Sequence, residues 1–181
     1  DILDLASIEA GYLKLEMSEF DIYTMMFSVQ PLVKERVREH KLEFKFTCPK
    51  TIGRMSGDET RIKQVLFNLL SNAIRYSNPG GNITLGAKAD GDDHVILFVS
   101  DTGPGIPAEE QAAIFGSFYK GKHTNIPKAK SKSGTGLGLS IVQNFINLHG
   151  GEIKLNSVVD KGTTVECRLP RKLGAGGQKQ S

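Results

Sequence analysis

The chain has 181 residues, 39% hydrophobic and 24% charged, an ordinary globular composition that suits one domain with a substantial core. Its formal charge of +3 comes from the last eleven residues, where Arg171, Lys172 and Lys179 stand without an acid; the neutral remainder excludes a general nucleic-acid footprint. No apolar run approaches the roughly 18 residues of a membrane span, and no signal-peptide pattern opens the sequence.

Residues 1–16, DILDLASIEAGYLKLE, have helical spacing at Ile2, Leu5, Ala6 and Ile8, with Gly11 as a helix stop. Met17–Phe20 reads as a short strand. Asp21 then caps a helix reaching about Lys41, its inward face formed by Met25, Met26, Val29, Val33 and Val37. Pro31 lacks an amide donor and predicts a kink or a late start in that helix. LEFKFTC at 42–48 alternates like a strand, and Thr51–Ser56 forms another, ending at Gly57. Cys48 and Cys167 fall in apparent strands without CxxC or Cys/His spacing and read as reduced core thiols.

Asp58 is the N-cap of the next helix, which runs to about Ser77. Ile62, Val65, Leu66, Leu69, Leu70 and Ala73 make one apolar stripe along it. Asn68, Asn72 and Arg75 cluster on the flank of that stripe. Two short amides and a cation on one side of a helix suit a metal–phosphate group; the plainer reading is the wet edge of a core helix. After the turn at Asn78-Pro79-Gly80-Gly81, residues 82–89 and 94–101 alternate as paired strands around a tight connection.

Asp101 ends the second of these strands, which places a carboxylate at the mouth of the core. Such a group accepts a hydrogen bond from the exocyclic amine of adenine and rejects guanine, which has a carbonyl there. Gly103 and Gly105 permit close backbone approach. Taken alone, DTG is equally a turn closing a strand. Pro107–Ile114 reads as a short helix with proline in its first turn.

Residues 119–133 concentrate lysines without apolar period and read as a mobile loop. Gly134, Gly136 and Gly138 follow no P-loop or dinucleotide spacing. They form a glycine-rich segment opening a helix, whose amides and positive end face an anion, or else a simple hinge. That helix spans Gly138–His149 and buries Leu139, Ile141, Val142, Phe145, Ile146 and Leu148. A last hairpin, EIKLNSV and TTVECRL, turns at Asp160-Lys161-Gly162, and the tail LGAGGQKQS is linker-like. Helices and strands interleave, which predicts an α+β fold: a mixed, mostly antiparallel sheet with helices on one face.

Four segments, in this order, resemble the N, G1, F and G2 boxes of the ATP-binding domain of sensor histidine kinases, a superfamily shared with gyrase, the Hsp90 chaperones and MutL. They are GDETRIKQVLFNLLSNAIRYS at 57–77, DTGPGIP at 101–107, AIFGSFYKGK at 113–122 and SGTGLGLSIV at 133–142. The N-terminal pattern also resembles the cell-cycle kinases of α-proteobacteria, a group in which one acceptor is a tyrosine. The resemblance implies a two-layer α/β sandwich of the Bergerat type over residues 17–170. Residues 1–16 would then be the end of a dimerisation and phosphoacceptor helix with its linker, and 171–181 a flexible tail.

The resemblance also implies roles. ATP and Mg²⁺ are the cofactors, with Asn72 as the metal ligand and Asn68 beside it. Adenine is held by Asp101, Gly103 and Gly105, supported by Thr163 or its neighbour Thr164, with Ile106 and Tyr76 also binding the nucleotide. Gly134, Thr135, Gly136, Leu137, Gly138 and Leu139 follow the phosphates, while Phe115 and Phe118 pack the base of a lid. Asn68, Arg75 and Lys120 would act in catalysis. Arg75 replaces a usual lysine, Lys120 a frequent arginine, and Gly116 a common acid, so the groups steadying the γ-phosphate depart from the pattern.

None of His40, His94, His123 and His149 lies in a phosphoacceptor setting. The implied reaction is therefore transfer of the γ-phosphate to an acceptor on an upstream helical bundle, and from there to a response regulator receiver domain. The full-length protein would be a cytoplasmic homodimer or the inner part of a membrane-attached receptor, with no direct membrane contact by this region. The alternative is a degenerate kinase module acting as scaffold or allosteric partner. A gyrase-like ATPase fits less well, since Asn68 stands where those members carry a catalytic glutamate.

Overall fold

A computed structural model describes residues 12–116 and 136–172. The helix predicted before Gly11, the lysine-rich loop and the tail from residue 173 lie outside the described residues. The elements, in order, are β1 (Ser18–Asp21), α1 (Ile22–Val29), a 3₁₀ turn (Gln30–Leu32), α2 (Lys34–Glu39), β2 (Glu43–Thr47), β3 (Arg54–Gly57) and α3 (Glu59–Tyr76). Then follow β4 (Asn82–Asp90), β5 (His94–Asp101), α4 (Ala108–Gln111), α5 (Gly138–Leu148), β6 (Glu152–Val158) and β7 (Gly162–Pro170).

The main sheet has the order β2-β4-β5-β7-β6, with β2 parallel to β4 and every other pair antiparallel. Alternation sends Ile83, Leu85, Val95, Leu97, Val99, Val165, Cys167 and Leu169 to one face, where all are buried in the core with the helices. The opposite face carries ion pairs, Lys88 with Glu166 at 2.7 Å and Arg168 with Asp90 at 2.6 Å. It is therefore a two-layer, mixed α+β sheet, as the sequence predicts.

The helix predicted over 21–41 is broken where Pro31 sits. Asp21 accepts from the Thr24 amide at 2.8 Å and starts α1, and the chain tightens into the 3₁₀ turn before resuming as α2. Met25, Met26, Val29, Val33 and Val37 nevertheless all stay buried. β1 and β3 form a separate two-stranded antiparallel sheet, a pairing that alternation alone does not reveal. The strand expected from Thr51 begins only at Arg54, and the helix expected over 107–114 is the shorter α4. Leu148, expected inside, is exposed in the last turn of α5, and Leu139 is half-buried.

Asp58 caps α3 as expected, one carboxylate oxygen accepting from the Arg61 amide at 3.0 Å. Its other oxygen accepts from the Glu16 amide at 2.9 Å, and its own amide donates to Nε2 of His149 at 3.0 Å. Nδ1 of His149 lies 2.7 Å from the Phe145 carbonyl, so the single imidazole proton must sit on Nδ1. The incoming segment, the start of α3 and the end of α5 are thus held at one buried point.

Burial lowers the pKa of His149, opposed by the Phe145 hydrogen bond and the Asp58 charge. The unfolded chain therefore takes up a proton at a pH where the folded chain does not, and stability rises with pH. Urea unfolding should show full stability above about pH 6.5 and a loss approaching about 1.4 kcal/mol per pH unit as acid carries His149 below its ordinary value. In His149→Gln that component of the slope should vanish; an unchanged slope there assigns the acid sensitivity elsewhere.

Candidate functional site

The site is built where β5 and β6 end and β7 begins. Ile83, Asp101, Thr163 and Ser157 are cross-strand neighbours on β4, β5, β7 and β6. Each lies two residues from an inward apolar position, so the four form one row on the helix-facing side of the sheet. Asp101 is held in this row by backbone donors: its Oδ1 accepts from the Gly103 amide at 2.8 Å, and the Thr163 amide also donates to the carboxylate. Burial still dominates and raises its pKa, so the carboxylate is an under-solvated acceptor.

The segment after Asp101 packs backbone against backbone. Gly105 has φ +70°, and an added Cβ there would overlap the Val158 carbonyl. The Asp160 amide donates to the Pro104 carbonyl at 2.8 Å. Ile106 donates its amide to Oγ of Ser157 at 2.8 Å. Gln111, on α4, donates from Nε2 to the carbonyls of Ile106 at 2.9 Å and Ser157 at 3.1 Å. Residues 103–106 are thereby strapped to the β6–β7 hairpin, with the buried Gly103 lying against the Tyr76 carbonyl at the end of α3.

The opposite wall comes from α3 and α5. A methyl group at Gly138 would sit 3.9 Å from Cγ of Asn68 and 4.0 Å from Nδ2 of Asn72, so the start of α5 faces these two amides at close range. Gly136, at φ +75°, turns the chain into this helix, whose N-cap position is Leu137, a residue with no capping side chain of its own. A helix start carries backbone amides without intrahelical acceptors, and here it stands beside Asn68 and Asn72. Nδ2 of Asn68 is buried without a hydrogen-bond partner among the described residues. A buried amide donor left unpaired has a desolvation cost that an anion or its water shell would offset. Leu137 is buried, whereas Arg75, Tyr76 and Leu139 are half-buried.

Most of the residues singled out in the sequence are therefore brought together. Asp101, Gly103, Gly105, Ile106 and Thr163 share one end; Asn68, Asn72, Gly136, Leu137 and Gly138 share the other. Phe118, Lys120, Gly134 and Thr135 lie outside the described residues. Among the described residues no cluster of three or more His, Cys, Asp or Glu could hold a metal ion. A divalent cation here would have to use asparagine carbonyl oxygens, with phosphate and water completing its shell, a donor set that suits Mg²⁺. Sequence reasoning missed Ser157 and Gln111. The signal for Ser157 was available: in EIKLNSV it occupies the inward phase set by Ile153 and Leu155, where a hydroxyl needs a partner.

With this geometry in place, the comparisons with known proteins are specific. The family model described as histidine kinase-, DNA gyrase B-, and HSP90-like ATPase matches residues 57–173. The circadian input-output histidine kinase CikA of Synechococcus elongatus is 36% identical over 172 residues, 94% of this chain and 22% of that protein. Sensor protein DivL of Caulobacter vibrioides is 35% identical over 171 residues, 94% of this chain and 21% of its own length. The chain thus spans about a fifth of these relatives. The solved catalytic domain of histidine kinase ThkA superposes with a TM-score of 0.75 at 32% identity, over 88% of this chain and 100% of that one. ThkA in complex with the response regulator protein TrrA gives a TM-score of 0.73 at 28% identity, over 99% of this chain and 48% of that one.

Proposed function

The chain belongs to the histidine kinase-, DNA gyrase B-, and HSP90-like ATPase family as an ATP-binding catalytic domain of the two-component histidine kinase kind, and from that premise we propose how its residues divide the work. Asp101, backed by the glycine segment, accepts the exocyclic amine of adenine. Thr163 supports the same edge, and Gly103, Gly105, Ile106 and Tyr76 enclose the base. The glycine-rich start of α5, from Gly136 through Gly138, receives the phosphates through backbone amides. The Asn72 carbonyl oxygen is the protein ligand to Mg²⁺, with Asn68 donating beside it. Bound Mg·ATP supplies the transferable γ-phosphoryl group with its charge partly neutralised.

Phosphoryl transfer needs positioning and charge stabilisation more than covalent chemistry from the protein. Arg75 and Lys120 are assigned to charge stabilisation, and the lysine-rich segment 119–133 with Phe118, Gly134 and Thr135 to closure over the phosphates. In the whole protein, the acceptor sits on an upstream helical bundle that also makes the homodimer, and a response regulator receiver domain takes the phosphoryl group next. No described residue belongs to a helix long and apolar enough to cross a membrane, and the domain is assigned to the cytoplasm.

The observation carrying this reading is the pairing of a desolvated carboxylate at a strand end with a buried Asn68 amide donor that has no hydrogen-bond partner among the described residues and faces the start of α5. Calorimetry should detect one equivalent of AMPPNP bound with Mg²⁺, weakened by EDTA. Radioactive ATP should leave the 181-residue chain unlabelled, and labelling should appear once the upstream bundle is joined to it. Absence of AMPPNP binding, or stable self-labelling of the isolated chain, overturns the reading.

A further inference from the structure

Ser157, the β6 member of the site row, has no role in the scheme above, yet every bond of its hydroxyl is assigned. Oγ accepts from the Ile106 amide at 2.8 Å, lies 3.1 Å from the Gly162 carbonyl, and lies 2.8 Å from Oγ1 of Thr163. A serine hydroxyl has one proton and two acceptor sites. The Gly162 carbonyl can only accept, so the Ser157 proton goes there. The Ile106 amide can only donate, so it takes one acceptor site. What remains on Ser157 is a single acceptor site, and the contact with Thr163 is satisfied only when Thr163 donates.

The consequence falls on the neighbouring strand. With its proton committed to Ser157, Thr163 presents only oxygen lone pairs toward whatever lies beside it. Its cross-strand neighbour Asp101 is also an acceptor. We propose that Ser157 is a specificity-determining positioning residue: by fixing the polarity of the Thr163 hydroxyl it makes this edge of the pocket acceptor-only, and so selects a base edge bearing an amine over one bearing a carbonyl. The inference rests on the adenine reading of the site above and adds to it a residue that does not touch the base. Gln111 reinforces the arrangement, since its two donations keep the carbonyls of Ile106 and Ser157 in register.

The test compares AMPPNP with GMPPNP on the whole chain. Ser157→Ala frees the Thr163 proton to turn toward the ligand. The expected result is about a tenfold loss of AMPPNP affinity, the scale of one hydrogen bond, with GMPPNP affinity unchanged or higher, so that the preference between the bases narrows. Ser157→Thr keeps the hydroxyl and should restore the preference. A purely structural role would weaken both ligands in parallel and leave the ratio alone, and that result overturns the proposal. Should Ser157→Ala fail to fold, Thr163→Val removes the same oxygen from the edge and must narrow the ratio too; an unchanged ratio in Thr163→Val also overturns it. If the wild-type chain binds neither nucleotide, the adenine reading itself fails and this inference with it, whereas normal wild-type selectivity with an unmoved ratio in the variants refutes Ser157 alone.

Discussion

Asp101→Asn is expected to lower AMPPNP affinity about a hundredfold, the upper scale for a hydrogen bond to a charged group. The reason is local. An asparagine keeps one carbonyl oxygen, but the row gives this position two backbone donors, from Gly103 and Thr163. The amide oxygen can face those donors only by turning its NH₂ toward the ligand, where the carboxylate offered an acceptor. The same geometry predicts a pH profile. Burial raises the pKa of Asp101, so the acceptor is present above that raised value and is lost as pH falls through it. Wild-type AMPPNP affinity should therefore decline in milder acid than an ordinary carboxylate would require, and the Asn variant should show no such step. Titration calorimetry across pH reads both; an Asn variant binding within about threefold of wild type sinks the assignment.

The largest stability effect is expected at Gly162. Its φ of +112° lies where side chains are rarely found, and an added Cβ would overlap the backbone carbonyl of Asp101. Backbone cannot rotate away as a side chain can, so Gly162→Ala must push β7 off β5 at the very row that carries Asp101 and Thr163. Strain and displacement together should cost about 3 kcal/mol and lower the melting temperature by roughly 10 °C. Gly80→Ala is the internal comparison. It shares a positive φ, +82°, but nothing lies within 4 Å of the added methyl, so only the conformational cost of about 1 kcal/mol applies. Equal melting losses in the two variants would show that the close approach of β7 to β5 is not what makes Gly162 necessary.

Much of this fold is legible in the sequence because its signals are local. The stripe from Ile62 to Ala73 and the Asp58 cap define α3 within one window, and the break at Pro31 follows from a missing amide. What could not be read depends on partners distant in the chain. β1 and β3 carry no mark saying that they pair with each other instead of with the main sheet. Leu148 fits the apolar period of α5, but it falls with Asn147 on the exposed side of the last turn, while Phe145 and Ile146 face the core. His149 looks like any helix-end histidine; its meaning comes from the Asp58 amide, 91 positions earlier. The site divides in the same way. Residue types such as Asp101 and the glycines announce themselves, whereas Ser157 gains a role only after three strands are aligned.

That alignment has a consequence for how the protein comes into being. The pocket floor draws its row from β5, β6 and β7, and the chain between Asp101 and Ser157 must be spanned before any of it exists. A nascent polypeptide emerging from the ribosome therefore has no partial nucleotide cradle to offer. Competence arrives only when the C-terminal hairpin closes, so ligand added during refolding should stabilise the finished domain by mass action without hastening the earlier steps.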